Sequence, residues 1–178
     1  MARHRSRWRV WQRYMDAERF VFIDETAATT AMTRLSGWGP KGERLVDAAP
    51  QGHWKTTTFV AGLRASGIIA PFVLDGPMTG DAFRLYVEQV LAPELEPGDA
   101  VAGVPEAIRA AGASVLYLPS YSPDFNPIEQ LFAKFKALLR KAAARTQNAL
   151  WETIGTLLDE FTPGECQNYI INSGYDFV

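Results

Sequence analysis

The chain alternates between apolar runs of strand-forming residues and segments with helical periodicity. Residues 20–23 form a continuous apolar run, which is typical of a strand buried on both faces. The runs 56–63 and 68–74 flank a turn sequence at 65–67 and predict a β-hairpin. Residues 113–118 predict a further strand. We therefore expect a sheet with the first run at its centre and the hairpin on one side.

Several segments repeat apolar residues at helical spacing and carry helix start or stop signals. The predicted helices cover 79–91, 106–111, 128–145 and 147–161, and a last one begins at Thr162 and stops at Gly174. The 128–145 helix has an apolar stripe that predicts a core-facing side. Its members are Ile128, Leu131, Phe132, Phe135, Leu138, Leu139 and Ala142.

The fourth strand of the sheet is expected to be weak or missing. Between Asp99 and Pro105 the chain offers only Ala, Val and Gly, whereas a typical strand has about 5–6 residues. An antiparallel trio, a crossover helix and a fourth strand parallel to the first resembles the order of an RNase H-like fold. We predict an α/β domain over residues 19–178, with an RNase H-like mixed sheet flanked by helices. A missing strand would leave an apolar edge beside residues 20–23.

Composition excludes several classes of protein. The 178 residues are 47% hydrophobic and 21% charged, which suits one domain with a real core. The single cysteine, Cys166, excludes an internal disulfide. His4 and His53 are the only histidines in the sequence, so a structural zinc site is not expected. No apolar run approaches the ~20 residues of a membrane span, and the N-terminus does not resemble a signal peptide. We expect a cytoplasmic protein without a membrane partner.

Residues 1–18 form a basic and aromatic N-terminal arm on a chain whose formal net charge is −2. Its cations and aromatic residues are Arg3, His4, Arg5, Arg7, Arg9 and Arg13, with Trp8, Trp11 and Tyr14 between them. One interpretation is a solvated, frayed terminal helix. The other is an arm that contacts phosphates and stacks on bases or on a partner. Because the whole chain is acidic, any surface for nucleic acid must be local.

A stiff loop connects the last strand to the 128–145 helix. Pro119, Pro123 and Pro127 each fix their own φ and restrict the residue before them. Asn126 suits the N-cap position of the helix and Glu129 the third helical position. Taken alone, this spacing favours a capping box over catalysis.

Two longer strings resemble a known family. Residues 121–129, Tyr-Ser-Pro-Asp-Phe-Asn-Pro-Ile-Glu, resemble the signature around the third acidic residue of insertion-sequence DDE transposases of the mariner-type superfamily. Residues 22–26, Phe-Ile-Asp-Glu-Thr, resemble the block with the first catalytic Asp, although an Asp here also suits a strand-end turn. The resemblance covers about residues 19–175. It implies that Asp24 and Glu129 are catalytic and bind Mg²⁺ or Mn²⁺, and that the chain is the catalytic part without the preceding helix-turn-helix region.

The resemblance has one gap, at the second acidic residue of the family. The hydrophobic strand and Asp-Asn expected after Asp99 are absent, as if an internal segment had been deleted. Asp75, Asp99 and Asp124 are candidate replacements, but none lies where the family places this ligand. Two functions stay open. One is metal-dependent DNA strand cleavage and transfer during transposition of an insertion sequence, impaired here and with weakened metal binding. The other is a non-catalytic remnant that binds DNA or a partner.

Cations on the 128–145 helix extend the DNA hypothesis. They are Lys134, Lys136, Arg140, Lys141 and Arg145, with no acid among them. A solvated helix face is the simpler interpretation. Their concentration next to the candidate metal loop of an acidic chain favours a phosphate-binding surface, together with Arg5, Arg7 and Arg9. The expected partners are DNA, as transposon ends and target, and a second copy of the chain. DNA binding would place the protein at the nucleoid.

Overall fold

A five-stranded mixed sheet forms the centre of the domain. The computed structural model describes residues 2–34, 36–46, 48, 50, 53–102 and 113–177. Within them the strands are β1 (Phe20–Thr29), β2 (Thr56–Arg64), β3 (Gly67–Asp75), β4 (Ala100–Ala102) and β5 (Ser114–Leu116). Their order across the sheet is β3-β2-β1-β4-β5, so the predicted hairpin and the central position of β1 are confirmed.

The pairing of β1 explains its burial pattern. β1 runs antiparallel to β2 over most of its length and parallel to β4 over residues 20–22. Its first four residues are buried, and burial then alternates along the strand, because β4 ends opposite Phe22. β4 is thus the weak fourth strand, three residues long, with Val101 fully buried. A missing strand was expected to leave an apolar edge beside residues 20–23. That expectation is wrong, because β4, although short, pairs with residues 20–22.

Helices cover both faces of the sheet. They are α1 (Ala2–Trp11), α2 (Gly80–Tyr86) with a π-helical turn over Val87–Leu91, α3 (Ile128–Ala142), α4 (Gln147–Leu158) and α5 (Pro163–Asn172). α2 and its π-helical turn pack on one face, and α3 to α5 pack on the other. The RNase H-like mixed sheet is therefore confirmed, while the predicted helix 106–111 lies outside the described residues. No helix among those described is long and apolar enough to span a membrane.

The larger core lies between β1, β2 and α3. Phe135 of α3 is fully buried and stacks on Phe59 of β2, with ring centroids 4.8 Å apart. Such aromatic contacts add to the free energy gained from burying apolar area. Ala142 was predicted in the same stripe but is exposed, because α3 ends there and Ala143 adopts the left-handed conformation. The core thus attaches α3 firmly to β1, which positions the start of the helix over the strand.

Candidate metal-binding site

Asp24 lies on β1 just beyond the point where β4 ends. Side chains alternate between the faces of a strand, so Asp24 shares its face with Phe22, which packs in the α3 core. The side chain is half-buried. The edge formed by the carboxyl ends of parallel strands is a common ligand site in α/β sheets, and β1 and β4 are parallel here.

The loop before α3 supplies a direct partner for Asp24. The Asn126 side chain donates from Nδ2 to Oδ2 of Asp24 at 3.0 Å, and the Glu25 peptide N–H donates to Oδ1 at 2.9 Å. The capping-box interpretation of Asn126 is therefore wrong: α3 has Pro127 at its N-cap and no side-chain cap. The amide bonds to a carboxylate instead, and hydrogen bonds to charged acceptors are stronger than neutral ones.

The electrostatics of the site favour a bound cation. Burial raises the pKa of Asp24 to about 6, the Glu25 peptide N–H opposes this rise, and the carboxylates of Glu129 and Glu25 raise it further. The positive charge of Lys136 makes the smallest contribution and lowers the pKa. Glu129, in the first turn of α3, is exposed. Burial is thus the main cause of the raised pKa of Asp24, and the neighbouring carboxylates act in the same direction.

The donor atoms present suit one hard divalent cation. Asp24 and Glu129 provide carboxylate oxygens, which Mg²⁺ and Mn²⁺ prefer. Oδ1 of Asn126 is buried and accepts no hydrogen bond from the described residues, so a further oxygen beside Asp24 lacks a partner. Groups of three or more His, Cys, Asp or Glu that could hold a metal ion do not occur in the described part of the chain. Asp24 and Glu129 are thus the two carboxylates that could hold a cation at this position.

Asp99 and Asp75 lie away from this site. Asp99 directly precedes β4 and is level with Arg19, just before β1, about 16 Å along the strand from Asp24. It is buried and forms an ion pair with Arg64. Asp75 ends β3, two strands away from β1, and is exposed. Neither lies beside Asp24 in this arrangement.

Asp124 is also bound elsewhere. Arg5 of α1 donates to both its carboxylate oxygens, at 3.0 and 2.8 Å, and also to Oγ of Ser122. The hydrogen bond from Arg5 lowers the pKa of Asp124. The guanidinium groups of Arg5 and Arg9 lie over the Phe125 ring, 4.8 and 5.7 Å from its centroid. The N-terminal arm is therefore not frayed: α1 is docked on the loop that contains Asn126.

Residues near the C-terminus also contact this loop. The hydroxyl of Tyr175, which is fully buried, donates to the Phe125 carbonyl at 2.8 Å and accepts from Nε1 of Trp8 at 3.2 Å. Gln12 donates to the Gly174 carbonyl at 2.8 Å. Sequence reasoning missed the roles of Asn126 and Tyr175. Asn126 belongs to the 121–129 string already noted for its resemblance, which was the available signal, and Tyr175 is the last residue that the resemblance covers.

The five helix cations separate into two groups in the structure. Lys134 binds both carboxylate oxygens of Glu165 at 2.8 and 2.7 Å, and Arg145 donates to the Met32 carbonyl at 2.8 Å. These two side chains connect elements of the domain. Lys136, Arg140 and Lys141 form no ion pair within the described residues. Lys136 lies two turns beyond Glu129, and Arg140 lies one turn beyond Lys136. Glu129, Lys136 and Arg140 therefore share one side of α3.

Comparisons with known proteins identify the family and the fold of the chain. Residues 19–151 match the model of the DDE superfamily endonuclease family. Among solved structures, a Mos1 mariner paired-end complex with Mn is 18% identical with a TM-score of 0.56, over 97% of this chain and 60% of that one. A pre-cleavage Mos1 transpososome is 19% identical with a TM-score of 0.52, over 91% and 58%. The chain thus spans about 60% of the length of the Mos1 chains, and at these identities the likeness concerns the fold. No curated protein sequence matches the chain.

Proposed function

Because the chain belongs to the DDE superfamily endonuclease family, we propose that it is the catalytic domain of a DNA transposase. Its substrates are the DNA ends of an insertion sequence and the target DNA, and its cofactor is Mg²⁺ or Mn²⁺. The observation that carries this proposal is the hydrogen bond from Asn126 to Asp24 at 3.0 Å, which connects β1 to the loop directly before α3, where Glu129 lies in the first turn. One of the similar Mos1 structures is a paired-end complex, and the pairing of two DNA ends supports a homodimer.

In the proposed site each residue has a separate task. Asp24 and Glu129 hold the cation, which when bound supplies Lewis acidity toward a phosphodiester and favours deprotonated water. The Asn126 side chain fixes one carboxylate oxygen of Asp24 by a hydrogen bond, and the Glu25 peptide N–H fixes the other. Lys136 places positive charge where a DNA phosphate would approach. The docked loop keeps these groups in place, since small losses of alignment reduce catalysis strongly.

Strand cleavage by this chain is proposed to be impaired. In a two-metal site a bridging acid sets the distance between the ions, about 3.5–4 Å. The described residues offer Asp24 and Glu129, while Asp99 and Asp124 are held by arginines elsewhere. One ion bound through two carboxylates is the expected state. A non-catalytic remnant that binds DNA or a partner is the second candidate, favoured by the same shortage of acids.

Metal binding and plasmid nicking test this proposal together. Titration with Mn²⁺, followed by electron paramagnetic resonance, should show one weak site in the unmodified protein and none in Asp24→Asn. Incubation with supercoiled plasmid and Mn²⁺ should give nicking close to background. Robust nicking that disappears in Asp24→Asn would contradict the impairment, and absence of the Mn²⁺ site would contradict the assignment of Asp24 and Glu129.

Duplex DNA is proposed to contact the side of α3 that follows Glu129. Lys136 lies about 10 Å and Arg140 about 16 Å along the helix from Glu129. With Lys141, Arg7 and Arg9 they form the proposed phosphate-binding surface. A bound chain would be located at the nucleoid in the cytoplasm.

Salt dependence separates this surface from ordinary electrostatics. Each phosphate contact adds about −0.9 to the slope of log K against log salt. Replacing Arg140 by Gln should weaken duplex binding and reduce the slope by about one. Arg84→Gln is the matched control, because Arg84 is equally charged, exposed and located on α2 at the opposite face of the sheet. Equal effects of the two substitutions would contradict a specific surface on α3.

A further inference from the structure

A cleft lies outside the metal site, between α1 and the segment that leads from β5 into the Pro-rich loop. Its volume is about 480 Å³, within the range of small-molecule sites. The residues that matter for its chemistry are His4, Arg7, Trp8, Trp11 and Tyr117. Trp11 and Tyr117 are 62% and 64% exposed, although aromatic rings of this size contribute strongly to stability when buried.

The walls of the cleft are held in place by contacts behind them. Trp8 is partly buried and donates its indole N–H to Tyr175 at 3.2 Å. α1 is further attached through the Arg5–Asp124 ion pair at 2.8 Å. The aromatic surface is therefore presented by a docked helix, so a ligand would not have to order it on binding.

The charge around the cleft selects the kind of ligand. Arg7 and His4 line it together with the aromatic rings, and no acidic residue lines it. α1 contains four arginines and no acid, while the chain as a whole has a net charge of −2. Flat π-faces combined with cations are the features that bind single-stranded nucleic acid: bases stack on the rings and phosphates meet the cations.

We propose that this cleft binds an unpaired nucleotide of single-stranded DNA, with the base stacked against Trp11 and Tyr117 and a phosphate next to Arg7. The proposal rests on the proposed function only in that the ligand is DNA. The cleft adjoins residues 117–120, which lead directly to the loop that holds Asn126. An unpaired strand bound here would thus lie beside the elements that position the metal site.

The test measures binding of a fluorescein-labelled twelve-nucleotide oligothymidine by anisotropy, in EDTA, so that metal binding and cleavage play no part. Trp11→Ala with Tyr117→Ala should weaken binding about tenfold or more, because stacking contributes strongly for each base. Both side chains are largely exposed, so circular dichroism should show an unchanged fold. The matched control is Trp38→Ala with Trp54→Ala, which removes two exposed tryptophans outside the cleft and should change affinity less than twofold.

A second ligand separates stacking from charge. An abasic oligomer of the same length keeps the phosphates and lacks the bases, so it should bind the unmodified protein more weakly and be insensitive to the cleft substitutions. Arg7→Gln should weaken both ligands. The proposal is overturned if the abasic oligomer binds as tightly as oligothymidine, or if the cleft and control variants lose affinity equally. It is also overturned if the cleft variants change only the oligomeric state, which would identify a protein surface.

Discussion

Replacing Asp24 by Asn should stabilise the protein when no metal is present. Asp24 is half-buried, and its pKa is raised from 3.8 to about 6, first by burial and then by the nearby carboxylates. The folded state therefore binds the proton more tightly than the unfolded state, and stability is lost as the pH rises from about 4 to above 6. Asn keeps one oxygen that can accept from Asn126, loses the oxygen that accepts from the Glu25 peptide N–H, and removes the ionisation.

The size of the effect follows from the rise in pKa. A change from 3.8 to about 6 corresponds to at most about 3 kcal/mol. Since the side chain is partly exposed, solvent screening reduces this to about 1–2 kcal/mol. For a chain of 178 residues that is a rise in Tm of about 3–6 °C.

Urea unfolding in EDTA between pH 4 and pH 8 measures the difference. The gap between Asp24→Asn and the unmodified protein should be small at pH 4, grow to about pH 6 and stay constant above. Asp124→Asn is the control with the opposite sign, because the Arg5 hydrogen bond lowers the pKa of Asp124 and stabilises the fold at neutral pH. A gap for Asp24→Asn that is independent of pH, or a loss of stability at pH 8, would refute the reasoning.

Four further predictions concern the metal, the loop, the core and the ion pair of Lys134. Mn²⁺ at pH 7.5 should raise the Tm of the unmodified protein and leave that of Asp24→Asn unchanged in differential scanning fluorimetry; an equal rise in both would contradict the site. Tyr175→Phe leaves the Phe125 carbonyl without its partner and should cost about 1–2 kcal/mol in urea unfolding. Phe135→Ala, at a fully buried position, should lower the free energy of unfolding by about 3–5 kcal/mol. Lys134→Gln removes the ion pair with Glu165, so it should lower Tm without changing the salt dependence of DNA binding.

The sequence determined the elements of this fold because the signals for them are local. The apolar run at 20–23 marks a strand buried between neighbours, and periodicity of 3.6 marks α3. The hairpin follows from two β-rich runs around a short turn. The order of the strands across the sheet was expected from the resemblance to an RNase H-like fold, and the structure has it as β3-β2-β1-β4-β5. The carboxylates of Asp24 and Glu129 were singled out by the resemblance of residues 22–26 and 121–129 to a known family, because local spacing alone favoured a strand-end turn and a capping box.

Only the tertiary structure decided what the polar side chains do. Asn126 had the spacing of a helix cap, yet it bonds to Asp24, 102 residues away in sequence. Asp124 and Asp99 were equal candidates for a missing ligand until their partners, Arg5 and Arg64, were placed beside them. A polar group bonds to the partner that folding brings within about 3 Å, and such partners are separated by any distance along the chain. Apolar burial is encoded in local periodicity, whereas hydrogen-bond and ion-pair partners are settled when the layers of the fold pack together.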